Sequence, residues 1–384
     1  MSTEESGEIN IEELAANAIR VLGMEAVQKA KSGHPGMVMG MADITTVLYH
    51  DFLTYDPQDP QWYNRDRVIL SNGHGSMLLY SMLHLTGTSL EIDDLKKFRQ
   101  WDSPTAGHPE YGYAPGIETT TGPLGQGIAN GIGMAIAEAH MRTKFGKELV
   151  DHYTYILCGD GCLMEGVSAE ASSLAGHLGL GKIIMFYDDN NITIDGTTDL
   201  AFSENVKMRY EAFGWQVIEV DGHDRQAIRD AIKEAQACKN QPSILCCRTI
   251  IAKGSPNKSG SSDSHGSPLG DEEIKLTKEV YNWTYGPFEV PELVYEYFRE
   301  DDIQRAQNRQ NWLEILSEHP NSESFISQYK SLDCSSIEFP TFEIGSKLAT
   351  RAASGKVIQK LSTQIPALIG GSADLAKSNK SYMN

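Results

Sequence analysis

The sequence predicts an α/β fold, a mostly parallel sheet flanked by helices, and three observations predict it. Apolar, β-branched runs at residues 153–158, 182–187, 215–220 and 243–251 alternate with segments of helical spacing such as Gln226 to Ala237, the pattern of βαβ units. Glycine-rich turns follow the strand-like runs directly, at the position where open α/β sheets bind their ligands. Composition is that of an ordinary globular protein: of 384 residues, 40% are hydrophobic, 22% are charged and 35 are glycine.

From Ile9 to Ala30 apolar residues recur at helical spacing (Ile11, Leu14, Ala15, Ala18, Ile19, Leu22, Ala26, Val27), an amphipathic helix leading into Gly33-His34-Pro35-Gly36. After Arg65, Val68-Ile69-Leu70 reads as a short buried strand, broken by Ser71-Asn72-Gly73-His74-Gly75-Ser76 before another helical pattern. Small residues from Ile128 to Ala139 predict a closely packed helix. Gly254 to Gly270, rich in glycine and serine, has the composition of a linker. Residues 287–340 turn charged and aromatic, with helical spacing around Leu293 to Phe298 and Trp312 to Leu316, and predict a connector. Ala367-Leu368-Ile369 predicts a strand running into Gly370-Gly371-Ser372-Ala373-Asp374. The expected organisation is a ligand-binding domain over 1–286, a helical connector over 287–340, and the beginning of a second, incomplete α/β domain over 341–384.

A net charge of −19 argues against nonspecific nucleic-acid binding, which needs a basic surface. No stretch approaches the roughly 18–20 apolar residues needed to span a bilayer. The residues Met1 to Glu8 are acidic, unlike an Arg-rich transit peptide. The six cysteines (Cys158, Cys162, Cys238, Cys246, Cys247, Cys334) form no paired CxxC modules. A soluble, cytoplasmic protein with reduced thiols and neither nucleic-acid nor membrane partners is expected.

The strand ending at Cys158 runs into Gly159-Asp160-Gly161, and Asn190-Asn191 closes the next one. Two strand ends can converge on one ion. A hard cation such as Mg²⁺ takes oxygen ligands and shares them with phosphates; Asp160 offers a carboxylate, Asn190 an amide oxygen and Ile192 a backbone carbonyl. The glycines let a diphosphate approach backbone N–H groups. An ordinary turn explains Gly-Asp-Gly taken alone; the two preceding strands favour the cation–diphosphate reading. Four of the eleven histidines, His34, His74, His108 and His265, lie in Gly- or Pro-rich turns. Imidazole titrates near neutrality and can exchange protons with a sugar hydroxyl or donate to a developing alkoxide. No HxxxH or Cys/His spacing supports zinc. Gly122-x-x-Gly125-x-Gly127 reverses the order of the dinucleotide fingerprint, and no clear strand precedes it.

Six dispersed segments resemble the transketolase family and occur in its order: Lys31-Ser-Gly-His-Pro-Gly36, Ser71-Asn-Gly-His-Gly-Ser76, Gly107-His-Pro-Glu110, Glu118-Thr-Thr-Thr-Gly-Pro-Leu-Gly-Gln-Gly127, Gly159-Asp-Gly-Cys-Leu-Met-Glu-Gly166 and Asp263-Ser-His-Gly266. The resemblance extends to Gly370 through Asn379. It implies a thiamine diphosphate-binding fold, thiamine diphosphate with Mg²⁺ (or Ca²⁺ or Mn²⁺ in its place), and a homodimer. The implied reaction is reversible transfer of a two-carbon ketol unit from a ketose phosphate such as xylulose 5-phosphate to an aldose phosphate such as ribose 5-phosphate, in the pentose phosphate pathway.

Carried over residue by residue, the resemblance implies that Asp160, Asn190 and the Ile192 carbonyl hold the metal. Gly161, His74 and His265 contact the diphosphate, Gly122, Pro123 and Leu124 line the thiamine, and Glu165 and Asp374 join the cofactor contacts. His108 and His74 hydrogen-bond the two-carbon fragment, His34 and His265 serve proton transfer, and Arg351 and Ser378 hold the sugar phosphate. Glu165 and Glu170 resemble carboxylates that link active sites across the dimer. Ser262 departs from the family, many of whose members carry a histidine there. The activating glutamate and the aromatic platform of the pyrimidine-binding domain are expected beyond Asn384. A truncated or split portion, paired with a complementary pyrimidine-binding subunit and weakly active alone, is therefore expected. Two alternatives stay open: a noncatalytic thiamine diphosphate-binding relative, and another thiamine enzyme such as a deoxyxylulose phosphate synthase or a 2-oxoacid dehydrogenase component, separable by offering pyruvate as donor.

Overall fold

The computed structural model describes residues 10–330 and 334–383. They fall into two compact units, divided in sequence after Leu313. The first unit opens with helices α1 (Ile11–Ala30), α2 (Pro35–Gly40) and α3 (Ala42–Val47). Helix α1 starts because the Asn10 side chain accepts the Glu13 N–H at 3.1 Å, and ends where Lys31 turns left-handed at φ 53°. Its middle is buried on all sides, which forces an internal partner on its one buried cation. Arg20 meets Asp43 of α3 and donates to the Met39 carbonyl at 3.1 Å.

Strand β1 (Arg67–Leu70) is followed by α4 (Ser76–Leu85), α5 (Ile92–Leu95) and the 20-residue α6 (Gln126–Phe145). Then come β2 (Thr154–Gly159), α7 (Asp160–Met164), α8 (Gly166–Leu178), β3 (Ile183–Asp189) and a short hairpin of β4 (Ile192–Thr193) and β5 (Gly196–Thr197). Helix α9 (Val206–Ala212), β6 (Gln216–Asp221), α10 (Arg225–Ala237) and β7 (Ser243–Arg248) complete the sheet region, and α11 (Asp271–Val280), α12 (Glu292–Arg299) and α13 (Asp302–Glu318) follow. The strands pair in parallel in the order β1-β2-β3-β7-β6.

Strand side chains alternate between two cores because successive residues point to opposite faces. Tyr155, Leu157, Ile184 and Phe186 pack with α1 to α4 and α10. Ile156, Cys158, Met185 and Tyr187 pack with α6, α8 and α9. A sheet buried on both faces needs near-continuous apolar strands, which is why the runs were visible in sequence. One register detail positions the site: Gly159 lies opposite Asp188. The turn after β2 and the end of β3 are thereby neighbours.

The sequence-predicted strands and helices of this unit are present within a few residues of their expected bounds; Ile9 lies outside the described residues. Gly254–Gly270 is no free linker. It folds into turns and a 3₁₀ segment, Ser262–Ser264, with Ser255, Ser264 and Leu269 buried. Helix α13 is held in the first unit by Arg309 on Asp56 at 2.6 Å and by the Trp312 indole donating to the Leu149 carbonyl at 3.1 Å.

The second unit contains α14 (Ser322–Tyr329), α15 (Thr350–Ser362) and α16 (Ala376–Asn379). The Gln364 side chain accepts the Glu338 N–H and donates to the Glu338 carbonyl, both at 2.9 Å, tying the extended segment to the end of α15. The expected strand at Ala367-Leu368-Ile369 is not formed; these residues are turn and coil. An apolar run becomes a strand only when another strand satisfies its backbone groups, and no strand occurs among the described residues of this unit. No helix among the described residues is long and apolar enough to cross a membrane.

Candidate functional site

The carboxyl ends of β2 and β3 open onto a pocket of about 390 Å³ lined by Asp160, Gly161, Asp188, Asn190, His74 and His265 among others. Asp160 is 5% exposed and accepts the Tyr187 hydroxyl. Asp188, 1% exposed, accepts the Thr249 hydroxyl and the Asn190 amide, the latter at 2.9 Å. That bond sets the Asn190 amide: its nitrogen is committed to Asp188, and its oxygen accepts the Ile192 N–H at 2.9 Å with a lone pair to spare. Asn191 in the left-handed region, φ 61°, then turns the chain into the β4–β5 hairpin. Asp160, Asn190 and Ile192, the three expected metal ligands, thus line one pocket.

Burial dominates the electrostatics here. It pushes Asp160 up to about 6, with Asp189 adding to the rise and the Tyr187 bond opposing it. It pushes Asp188 up to about 7 against the Thr249 bond. Two carboxyl groups whose proton affinity is raised by desolvation in one pocket form an oxygen-only donor set whose ionised form a hard cation would favour. The donor chemistry fits Mg²⁺ beside a diphosphate, and so does Gly161, where a Cβ would come within 2.9 Å of the Leu124 side chain.

Four chain segments bring the histidines together. His34 follows α1, His74 sits in the 3₁₀ turn Gly73–Gly75 after β1, His108 lies in the loop before α6, and His265 follows Ser262–Ser264. Ring centroids lie 4.9 Å apart for His34–His74 and His74–His265, 5.7 Å for His34–His265 and 6.5 Å for His34–His108. Two glycines make this convergence possible. A Cβ on Gly36 would fall 2.6 Å from Ile251 and from the Ser264 carbonyl, and one on Gly73 would fall 2.6 Å from the Thr121 hydroxyl. Desolvation lowers all four imidazoles. His34 reaches about 4, with His265, Arg99 and His108 adding repulsion, and His74 falls well below its usual range. His108 falls through burial and then Arg99, and His265 through burial alone. At neutral pH the cluster is uncharged, each ring offering one donor and one acceptor.

Arg99 donates to the Ser32 hydroxyl at 2.7 Å and lies 3.4 Å from the His34 Nδ1. Leu124 lines the pocket, a Cβ on Gly122 would come within 3.2 Å of the His108 ring, and Pro123 is exposed. Glu165, at the start of α8, and Glu170 within it are exposed. In the second unit Arg351 donates to the Ser378 hydroxyl at 3.0 Å, bringing that expected pair together, and Asp374 is exposed in the left-handed region at φ 63°. Tyr187 and Asp188 also belong to the site, although they are not among the residues expected from sequence. Their signal was the pair Asp188-Asp189 ahead of Asn190 at the end of an apolar strand.

Fold and pocket together define the class of thiamine diphosphate-binding domains. Residues 11–331 match the family described as transketolase, thiamine diphosphate binding domain, and the chain belongs to that family. It is 50% identical over 388 residues to the transketolase of Geobacillus stearothermophilus, covering 97% of this chain and 58% of that protein. It is similar in structure to the transketolase of Campylobacter jejuni, with a TM-score of 0.92 at 43% identity over 98% of this chain and 59% of that one. It is also similar to a Pichia stipitis transketolase solved in complex with sedoheptulose 7-phosphate, with a TM-score of 0.89 at 41% identity over 97% of this chain and 57% of that one. The chain therefore spans less than two thirds of the length of these relatives.

Proposed function

We propose that this chain provides the diphosphate-binding and proton-transfer half of a cytoplasmic transketolase of the pentose phosphate pathway. The reaction is transfer of a two-carbon ketol unit between sugar phosphates such as xylulose 5-phosphate and ribose 5-phosphate. The observation that carries this reading is the convergence of His34, His74, His108 and His265 beside the Asp160–Asn190 pocket. When bound, thiamine diphosphate supplies a nucleophilic carbon and an electron sink for the two-carbon unit. Asp160, Asn190 and the Ile192 carbonyl hold Mg²⁺, and His74, His265 and Gly161 donate to the diphosphate. His34 and His265, kept neutral by burial, exchange protons with the hydroxyl of the donor sugar and the oxygen of the acceptor aldehyde. His108 and His74 orient the hydroxyls of the two-carbon fragment.

Gly122, Pro123 and Leu124 complete the cofactor contacts of the first unit; in the second unit Asp374 is taken as a cofactor contact and Arg351 with Ser378 as a sugar-phosphate pair, for which the planar guanidinium fork suits a dianion. Glu165 and Glu170 belong to the contact of a homodimer or of a complementary pyrimidine-binding subunit. The functional division that goes with this reading is a diphosphate-binding domain over 1–286, a helical connector over 287–340, whose residues up to Leu313 belong to the first compact unit, and a pyrimidine-binding segment over 341–384.

The test mixes this chain with a polypeptide covering the remaining C-terminal part of the Geobacillus stearothermophilus transketolase. Xylulose 5-phosphate and ribose 5-phosphate should then give product that requires thiamine diphosphate and Mg²⁺ and disappears in Asp160→Ala. Pyruvate accepted in place of the ketose phosphate, or no calorimetric binding of thiamine diphosphate to this chain, would overturn the proposal.

A further inference from the structure

Asn72 is 1% exposed, and its side-chain oxygen has no hydrogen-bond partner. Buried side-chain amides nearly always find partners, so an unpaired one calls for an explanation. Its main-chain carbonyl accepts the Gly75 N–H at 3.0 Å and so starts the turn that carries His74, but nothing in the fold needs its side chain to be polar. That side chain lines the same pocket as Asp160, Gly161, Asn190 and His74. Its Nδ2 is the nearest atom, at 3.6 Å, to the place a Cβ on Gly159 would occupy. The amide therefore stands against the Gly159-Asp160-Gly161 turn.

The chemistry of the pocket says what the amide serves. A diphosphate brings only acceptors, which suit the Nδ2–H₂ that stands against this turn. An apolar ligand would leave both ends of the amide unpaired. On the reading of the pocket given above, we propose that Asn72 is a further cofactor-binding residue, gripping the cation–diphosphate unit through its side-chain amide. It acts beside Asp160 and Asn190 and contributes to binding rather than to folding.

Calorimetry separates these roles, with thiamine diphosphate plus Mg²⁺ and inorganic pyrophosphate plus Mg²⁺ as the probes. Asn72→Ala removes hydrogen bonds to charged partners and should weaken both probes by about 10-fold to 100-fold. Asn72→Asp keeps the shape but adds a carboxylate facing the phosphates and should weaken both further. Because the amide is unpaired without ligand, the unliganded melting temperature of Asn72→Ala should not fall. A clear fall, or failure of that variant to fold, would mean a structural amide and overturn the proposal. Wild-type binding that is lost in Asp160→Ala yet unchanged in Asn72→Ala would overturn it alone. Absence of binding to the wild-type chain would overturn the cofactor reading, and this inference with it.

Discussion

The carboxylates at the ends of β2 and β3 and the imidazoles gathered beside them are moved in opposite directions by the same force. Burial penalises charge, so Asp160 and Asp188 rise to about 6 and about 7, while His34 falls to about 4 and His74 well below its usual value. Between about pH 6 and 7 the first group is only partly ionised and would lose its remaining protons to an incoming cation, whereas the second is largely uncharged near neutrality whether or not a cation is present. The two groups also reach the site differently. Adjacent parallel strands deliver the acids, and four separate turns deliver the histidines. One end is thus suited to holding charge and the other to moving protons.

The largest expected effect tests the acidic end. Asp160→Ala should weaken Mg²⁺-dependent binding of thiamine diphosphate by at least about 100-fold, since changes around a metal ligand alone typically cost about 10–100-fold; calorimetry with and without Mg²⁺ measures it. Next, binding at pH 6 should release protons, because Asp160 is then about half protonated and must ionise to hold the cation. Titrations in buffers of different ionisation enthalpy should show that release at pH 6 and not at pH 8.5.

Stability without ligand should separate the two groups by sign. Asp160 keeps its proton to about 6 in the folded chain, but a carboxyl with the usual 3.8 has lost it well below that. Its contribution is full below about pH 4 and is lost as pH rises through 6, so Asp160→Asn should melt a few degrees higher than wild type at pH 8 and equally at pH 4. His34 has its folded value below the usual 6.5. Its contribution is present above pH 6.5 and is lost as pH falls toward 4, so His34→Gln should gain at pH 5 and not at pH 8. Equal pH dependence in the two variants would break the comparison. The smallest effect is Tyr187→Phe, which removes the hydroxyl donated to Asp160. Binding should weaken by less than about 10-fold, with the proton-release midpoint shifted upward.

Much of the acidic end was legible in the sequence because its parts are local. Strands buried on both faces appear as continuous apolar runs, and Gly159-Asp160-Gly161 and Asn190 directly follow two of them. The turns marked the four histidines, but their common site was legible only through resemblance, since no spacing among positions 34, 74, 108 and 265 says that their turns meet. That meeting depends on contacts such as Gly36 against the Ser264 carbonyl. The composition of Gly254–Gly270 read as a linker, yet the segment packs and carries His265 into the cluster. Ala367-Leu368-Ile369 had the composition of a strand but lacks a neighbour to pair with among the described residues.

By itself the sequence determined which apolar runs of the first unit can become sheet strands, which turns follow them with oxygen-bearing side chains and open glycines, and which family the chain resembles. Propensity, apolar periodicity and turn chemistry act over a few residues and leave their mark there. Tertiary structure alone decided that Gly159 lies beside Asp188, that Tyr187 and Asn190 are spent on the two carboxylates, that four imidazoles share one desolvated space, and that the Asn72 amide is left unpaired. Register, burial and polar satisfaction arise between residues distant in sequence, so no local pattern records them.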